Sequence, residues 1–369
     1  MTNRLRLVAG VSVALVVFFV ATTLSRSGSS DRPVWAVLPE SLLSARAYGA
    51  TACLSDGLVV SGGALPASGS NGLVRERLVQ GTAVYSDGVW EDLSDPPLSP
   101  RMMAGAAAAE SGLVLVWGGH DGTVASSNVD DFSYFADGAI LDLDSGLWRV
   151  LPPAPLNPRA NPRVESVGTS FLVSGGDAVP GADINRDEQA ALYDVETDSW
   201  TLLPVPPPGS ILVDSGGLIA FGLEATFRYD GVTDTWIQEQ TYPSEVSTPE
   251  YVSANGGRVA GGAGSQVWLL DSDFTALPPA PVTSLDYLGW IGSNIVVWDY
   301  DDRAAAVYSA ASRQWMRSDA PDEIETRVGS SVCATDAALL VWAGWIKRGP
   351  RRLGSDSGAV LEVRTRTVE

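Results

Sequence analysis

Apolar residues occur along this chain in short runs that end on glycine. Leu58-Val-Val-Ser-Gly-Gly63, Leu113-Val-Leu-Val-Trp-Gly-Gly119, Phe171-Leu-Val-Ser-Gly-Gly176 and Arg258-Val-Ala-Gly-Gly262 are four of them. Runs this short, bounded by turn formers, predict strands rather than helices. Beside them stands a second phrase: Leu141-Asp-Leu-Asp-Ser-Gly-Leu-Trp148, Tyr193-Asp-Val-Glu-Thr-Asp-Ser-Trp200, Tyr229-Asp-Gly-Val-Thr-Asp-Thr-Trp236 and Tyr308-Ser-Ala-Ala-Ser-Arg-Gln-Trp315. Each reads as a hairpin whose two strands meet across an Asp/Ser/Gly turn. A proline-rich connector follows, as in Leu151-Pro-Pro-Ala-Pro155, Leu203-Pro-Val-Pro-Pro207 and Leu277-Pro-Pro-Ala-Pro281. Then comes an arginine in several cases, and a strand of small residues such as Gly105-Ala-Ala-Ala-Ala109.

Such self-similarity predicts an array of four-stranded units. The order is a small-residue strand, an apolar strand with double glycine, a strand with tyrosine and a strand with tryptophan. The double glycine with spaced Tyr and Trp resembles the kelch repeat, and the resemblance covers nearly everything after Pro33. It implies an all-β propeller like the central domain of galactose oxidase, in a membrane-anchored bacterial setting. Fourth strands counted by their aromatic are Trp35, Trp90, Trp148, Trp200, Trp236, Phe274 and Trp315, which makes seven blades. Val34-Trp-Ala-Val-Leu38 is a fourth strand with nothing before it, and Arg327 to Val363 holds three strands with no tryptophan strand after them. A closed ring in which the N-terminal strand completes the last blade accounts for both ends, and closure removes exposed sheet edges.

The apolar run Leu7 to Leu24, preceded by Arg4 and Arg6, is eighteen residues long and just reaches the length of a membrane span. It predicts a signal anchor with the N-terminus cytoplasmic and the propeller outside, or a secreted protein if the segment is cleaved. Residues 1–33 then form the anchor with a short linker, and residues 34–369 the propeller.

Composition narrows the chemistry. The net charge of −20 argues against a nucleic-acid partner. One histidine, His120, and two cysteines exclude a histidine-rich metal site and any Cys-x-x-Cys pair, so no metal or other cofactor is expected. The oxidase relatives need two imidazoles for copper, which this chain lacks. Cys53 and Cys333 hold equivalent places in the first strands of blades one and seven, which a closed ring makes neighbours. Two readings stay open for them: a disulfide stapling the seam, or two buried thiols.

Second-to-third-strand loops and blade connectors share one face. Arg46, Arg101, Arg159 and Arg327 start there, with the longest insertions, Ala64 to Gly81, His120 to Gly138, Asp177 to Gln189 and Trp345 to Ser357. Long loops on one face of a rigid scaffold are where recognition is expected. Acidic groups there are Asp121, Asp130, Asp131, Asp183, Asp187 and Glu188; basic ones gather at Lys347, Arg348, Arg351 and Arg352 beside Trp345. For the four rim arginines the competing expectation is pairing with backbone or aspartates at blade seams. The basic blade-seven loop reads as a contact for a protein or polysaccharide, or for anionic lipid headgroups. The function expected is therefore a non-catalytic binding propeller, with His120 and Asp121 also on its recognition face. The alternative is a metal-free carbohydrate-active enzyme, an epimerase or lyase, on the same disc.

Overall fold

The computed structural model describes residues 33–66, 77–122, 133–177, 189–244, 246–271, 273–348 and 351–363. The apolar run Leu7 to Leu24 lies outside them, and none of the described residues forms a helix long and apolar enough to cross a membrane.

The described strands build a seven-bladed β-propeller. Six blades are sheets of four consecutive antiparallel strands, and the seventh combines both ends of the chain. The inner strands, in blade order, are Ala50–Cys53, Gly105–Ala108, Arg163–Val167, Ser210–Asp214, Tyr251–Asn255, Tyr287–Ile291 and Ser331–Ala334. Each touches the inner strands of both neighbouring blades, so the ring is closed around a central channel. Val34–Val37 is the outer strand of blade seven, with Trp35 opposite Leu361 and Val37 opposite Ala359. Pro33 and Val363 therefore lie together on the lower face, opposite the long insertions.

The hairpin phrase has a physical basis at every position. Tyr193 sits directly across from Trp200, and Tyr229 and Tyr308 face Trp236 and Trp315 in the same way. Their ring centroids are 5.1, 5.4 and 5.3 Å apart. Asp198 and Asp234 occupy the left-handed region at φ 51° and 54°, which short polar side chains tolerate. Each accepts a hydrogen bond from its tyrosine hydroxyl, at 2.5 Å for Tyr193 and 2.8 Å for Tyr229. The aspartate after the tyrosine caps the turn: Asp230 Oδ1 accepts from the Val232 amide, and Asp194 Oδ1 from that of Thr197.

The tryptophan then ties its blade to the one before. Trp148 Nε1 donates to Ser94, Trp200 to Pro152, Trp236 to Pro204 and Trp315 to Pro278, all backbone carbonyls just beyond the preceding outer strand, at 2.7–3.0 Å. The core is correspondingly divided into seams rather than gathered in one place. Phe171, Tyr193 and Trp117 pack between blades two and three, and Trp298, Val341 and Leu361 between six and seven.

The double glycine works as expected in blades one to three. The second of each pair, Gly63, Gly119 or Gly176, has φ of 102°, 94° and 101°. A Cβ there would lie 2.7 Å from the carbonyl of Ala47, Met102 or Ala160. In blade seven the pair is Ala343-Gly344, with Ala343 forced to φ 61° where the other blades have glycine. Blade five departs from expectation. Gly261 and Gly262 are ordinary strand residues, and their missing side chains make room for Trp268 and Leu285 instead of a turn.

Candidate functional site

The rim arginines repeat one construction. Nη1 of Arg46, Arg101, Arg159 and Arg327 donates to the carbonyl of Gly62, Gly118, Gly175 and Ala343, at 2.9–3.1 Å. Nε of each donates to the carbonyl two residues back, Ser44, Ser99, Asn157 and Glu325, at 3.0–3.1 Å. All four side chains are at most 5% exposed. Burial draws Arg46 and Arg327 down to about 10, still charged at neutral pH. Arg101 is also held bidentately by Asp137, at 2.7 and 3.2 Å, and stacks on Phe135. These guanidiniums are occupied by the carbonyls that the left-handed turn leaves unpaired, which is the seam role rather than the recognition role. Arg159→Met is expected to lower stability by about 3 kcal/mol or more, because several buried carbonyls lose a charged donor. Thermal melting of the variant checks this, and an unchanged melt would assign the arginine to the surface.

Two residues after each arginine, the backbone turns left-handed at Tyr48, Met103, Asn161 and Gly329, with φ between 49° and 66°. These residues are linked blade to blade: Tyr48 N donates to Gly329 O, Met103 N to Tyr48 O and Asn161 N to Met103 O. The result is a half-collar around the channel mouth over blades seven, one, two and three. These four blades carry the long insertions. In blades four to six the equivalent loops are short, spanning residues 222–224, 264–265 and 300–303.

His120 and Trp345 occupy the same structural place, just past the left-handed pair and bridged to the residue after the rim arginine. His120 is 5% exposed, accepts the Gly122 amide on Nδ1 at 3.0 Å and places Nε2 3.3 Å from the Met103 sulfur. Burial lowers its pKa against the opposing pull of Asp121 and Asp177, so it is neutral at pH 7. Asp121 fastens the base of its insertion, accepting the Ser133 amide at 2.8 Å. Trp345 is fully buried, donates to the Ala64 carbonyl and packs edge-on against Tyr48 at 5.1 Å. The expectation that Trp345 presents itself to a partner is thereby corrected, since it has no surface to offer.

Its segment is also not a loop. Ala338–Arg348 and Arg351–Glu362 form one long hairpin, with a bulge between Trp342 and Gly344 and with Lys347 opposite Arg352 and Arg348 opposite Arg351. The side chains of these four basic residues lie outside the described ones, as do Asp130, Asp131, Asp183, Asp187 and Glu188.

Inside the half-collar the channel is lined unevenly. Blades one, two and seven present the small inner strands expected, and Thr51 Oγ1 meets Ser331 Oγ at 2.7 Å. Blades three, five and six place Arg163, Tyr251 and Tyr287 first in theirs, which corrects the expectation of small residues throughout. Tyr300 donates from its hydroxyl to Ser330 O at 3.4 Å, and its amide donates to Asp286 Oδ2 at 2.7 Å. Burial raises the Tyr300 pKa above the ordinary phenol range, with further pushes from Asp286 and from Tyr251, Tyr48 and Tyr287. Tyr287 lies over Gly289 and is pushed up to about 12 by burial, with Arg163 opposing. Arg163 pairs with Glu165 and reaches across to Val252 O at 3.1 Å. The group thus combines phenol faces and hydroxyls with the carboxylate of Asp286 and an Arg163–Glu165 ion pair, all half-buried. Sequence reasoning missed this group, though a signal existed: a bulky residue opening strands whose repeat partners are small.

No metal-ligating cluster of His, Cys, Asp and Glu occurs among the described residues. Cys53 and Cys333 are joined in a disulfide across the seam of blades one and seven, with Cα atoms 5.5 Å apart.

No protein-family model matches the chain, and no curated protein matches it. Its fold is similar to the solved structure of YjhT, with a TM-score of 0.52 and 15% identity over 87% of this chain and 95% of that one. As many as 988 solved chains share such likeness, so the comparison establishes the propeller and leaves function to the site.

Proposed function

We propose that this chain is a kelch-type binding propeller, held outside the membrane by its N-terminal segment, that recognises a protein or glycan on its upper face. The observation that carries the reading is the half-buried group of Tyr48, Tyr251, Tyr300, Asp286 and Arg163 at the channel mouth, ringed on one side by the four blades with long insertions. Phenol rings bury large apolar area at little conformational cost and keep a hydroxyl for hydrogen bonding. The fixed carboxylate and guanidinium add polarity that a sugar ring or a peptide backbone matches. The short loops of blades four to six leave that side open to an approaching ligand. The run Leu7 to Leu24 supports the anchor, and a disulfide persists most readily in an exported protein.

A second reading, a metal-free epimerase or lyase, draws on Tyr251 and Asp286. The carboxylate pushes the Tyr251 pKa further up, after burial. A phenol and a carboxylate in one pocket form an acid–base couple.

The test is photocrosslinking in intact cells with a benzophenone amino acid at Tyr251, compared with the same probe at Val232 on the lower face. Adducts are expected from the Tyr251 position alone. Equal adducts from both, or none from Tyr251, would refute upper-face recognition. Turnover of any sugar by the purified full chain, abolished by Asp286→Asn, would select the enzyme.

A further inference from the structure

The seam between blades four and five differs from the others. Its outer aromatic is Phe274, which has no N–H to donate to the preceding connector, and it packs edge-on against Tyr242 at 5.2 Å. The outer strand of blade five is short, Phe274–Ala276, while that of blade four runs on as Thr235–Thr241. A cleft of about 530 Å³ opens at this seam toward the lower face, away from the channel mouth. That volume lies inside the range of small-molecule sites, roughly 300–1,000 Å³.

Its wall is shaped by an irregularity in blade four. Thr226 pairs with Gln240 and Phe227 with Gln238, which leaves Glu239 as the extra residue of a β-bulge. A bulge re-aims the side chain it carries. Glu239 accepts from Arg228 Nε at 2.9 Å, and Arg228 in turn grips Asp214 with both terminal nitrogens, at 2.5 and 2.9 Å. The guanidinium is thus spent on its two carboxylates, which it fixes in place. Val259 and Leu270, both buried, lie at its floor, and Ser215, Gly216, Gly257, Gln240 and Asp271 complete the wall.

We infer that this cleft binds a saccharide that is uncharged or carries an amine. With Arg228 and Asp214 bound to each other, the lining offers mainly acceptors: the carboxylates of Glu239 and Asp271 and the carbonyl oxygen of Gln240. Its occupant must be rich in donors, which hydroxyls and amines are, and must not be an anion, since three carboxylates face one guanidinium. The inference shares the glycan class with the function proposed above, but it places a second site on the opposite face.

The experiment uses the full chain in detergent, titrated by calorimetry with a neutral gluco-oligosaccharide, a glucosamine oligomer, an oligogalacturonate and oligolysine. The neutral or the amino sugar is expected to bind, and the oligogalacturonate is not. Gln240→Ala and Asp271→Ala, at partly exposed and exposed positions that leave the Arg228 triad intact, are each expected to weaken that binding about tenfold. Sugar binding that survives Tyr251→Ala, which strips a phenol from the upper-face group, belongs to the cleft. Binding lost with Tyr251→Ala but kept by the cleft variants would overturn the cleft and support the upper face. Equal binding of the oligogalacturonate, or binding of oligolysine alone, would overturn the saccharide assignment, as would no binding at all.

Discussion

Deleting residues 33–40 is expected to abolish the single cooperative melt of the disc. Those residues supply the outer strand of blade seven, whose four residues pair with Ala359–Glu362. They also supply Trp35, whose ring packs edge-on against Trp298 at 5.6 Å and whose Nε1 donates to Ser318 O of blade six at 3.3 Å. Without them Ala359 and Leu361, both fully buried, lose their cover, and the long strand of blade seven becomes an open edge. Blade six then keeps its neighbour through the inner strands and what remains of the seam core, Trp298 against Val341 and Leu339. Trp35→Ala alone is expected to cost about 3 kcal/mol, the low end for removing a buried tryptophan, because Trp35 is only half-buried. The deletion costs more, since the ladder goes too. Calorimetry of the full chain and the deletion checks this. A synthetic peptide of residues 31–40 should restore part of the lost stability by strand addition. An unchanged melting temperature would mean that the ring is closed by something other than this strand.

Removing the Cys53–Cys333 disulfide is the second large effect expected. The bond spans 280 positions and joins the two blades at which the chain begins and ends its circuit. Cross-linking so long a loop restricts the unfolded ensemble, worth up to about 5 kcal/mol in the chain-entropy description. The expected loss is smaller than that ceiling. Trp90 against Trp342 at 5.0 Å, with Leu58, Val60 and Leu340, already holds the same seam by packing. The double variant Cys53→Ala/Cys333→Ala should melt several degrees lower with an unchanged circular dichroism spectrum. Reduction of the wild type should produce the same shift. A shift on reduction that the double variant does not reproduce would point to another origin. Thiol labelling of the unfolded, unreduced protein should find no free thiol, and two labels would show that the bond does not form.

Much of the architecture was legible in the residues because its determinants are local. A tyrosine and a tryptophan seven apart around an Asp-rich turn specify a hairpin by turn chemistry alone, and the Asp198 and Asp234 geometry shows why that spacing works. Seven outer strands counted by their aromatic, one of them stranded at the N-terminus, imply the blade count and the manner of closure. The cysteines' equivalent positions placed them side by side, while their bonding depended on a distance that only the closed ring sets.

The site was far less legible, since its contacts join residues that no periodicity relates. A strand's alternation says which side chains leave the sheet plane, but not what the next blade sets against them. Trp345 reads as a loop aromatic and is buried because Ala64, 281 positions away, offers its carbonyl. The rim arginines read equally well as ligand groups until the left-handed turns beneath them expose carbonyls needing donors. Tyr251, Tyr300 and Asp286 come together only where blades five and six turn into the channel, and Glu239 meets Arg228 only because a bulge shifts the register by one residue. Turn chemistry and repeat period act over a few residues and determine the blades. Burial and electrostatics act across seams between residues tens to hundreds apart, and only the assembled ring decides them.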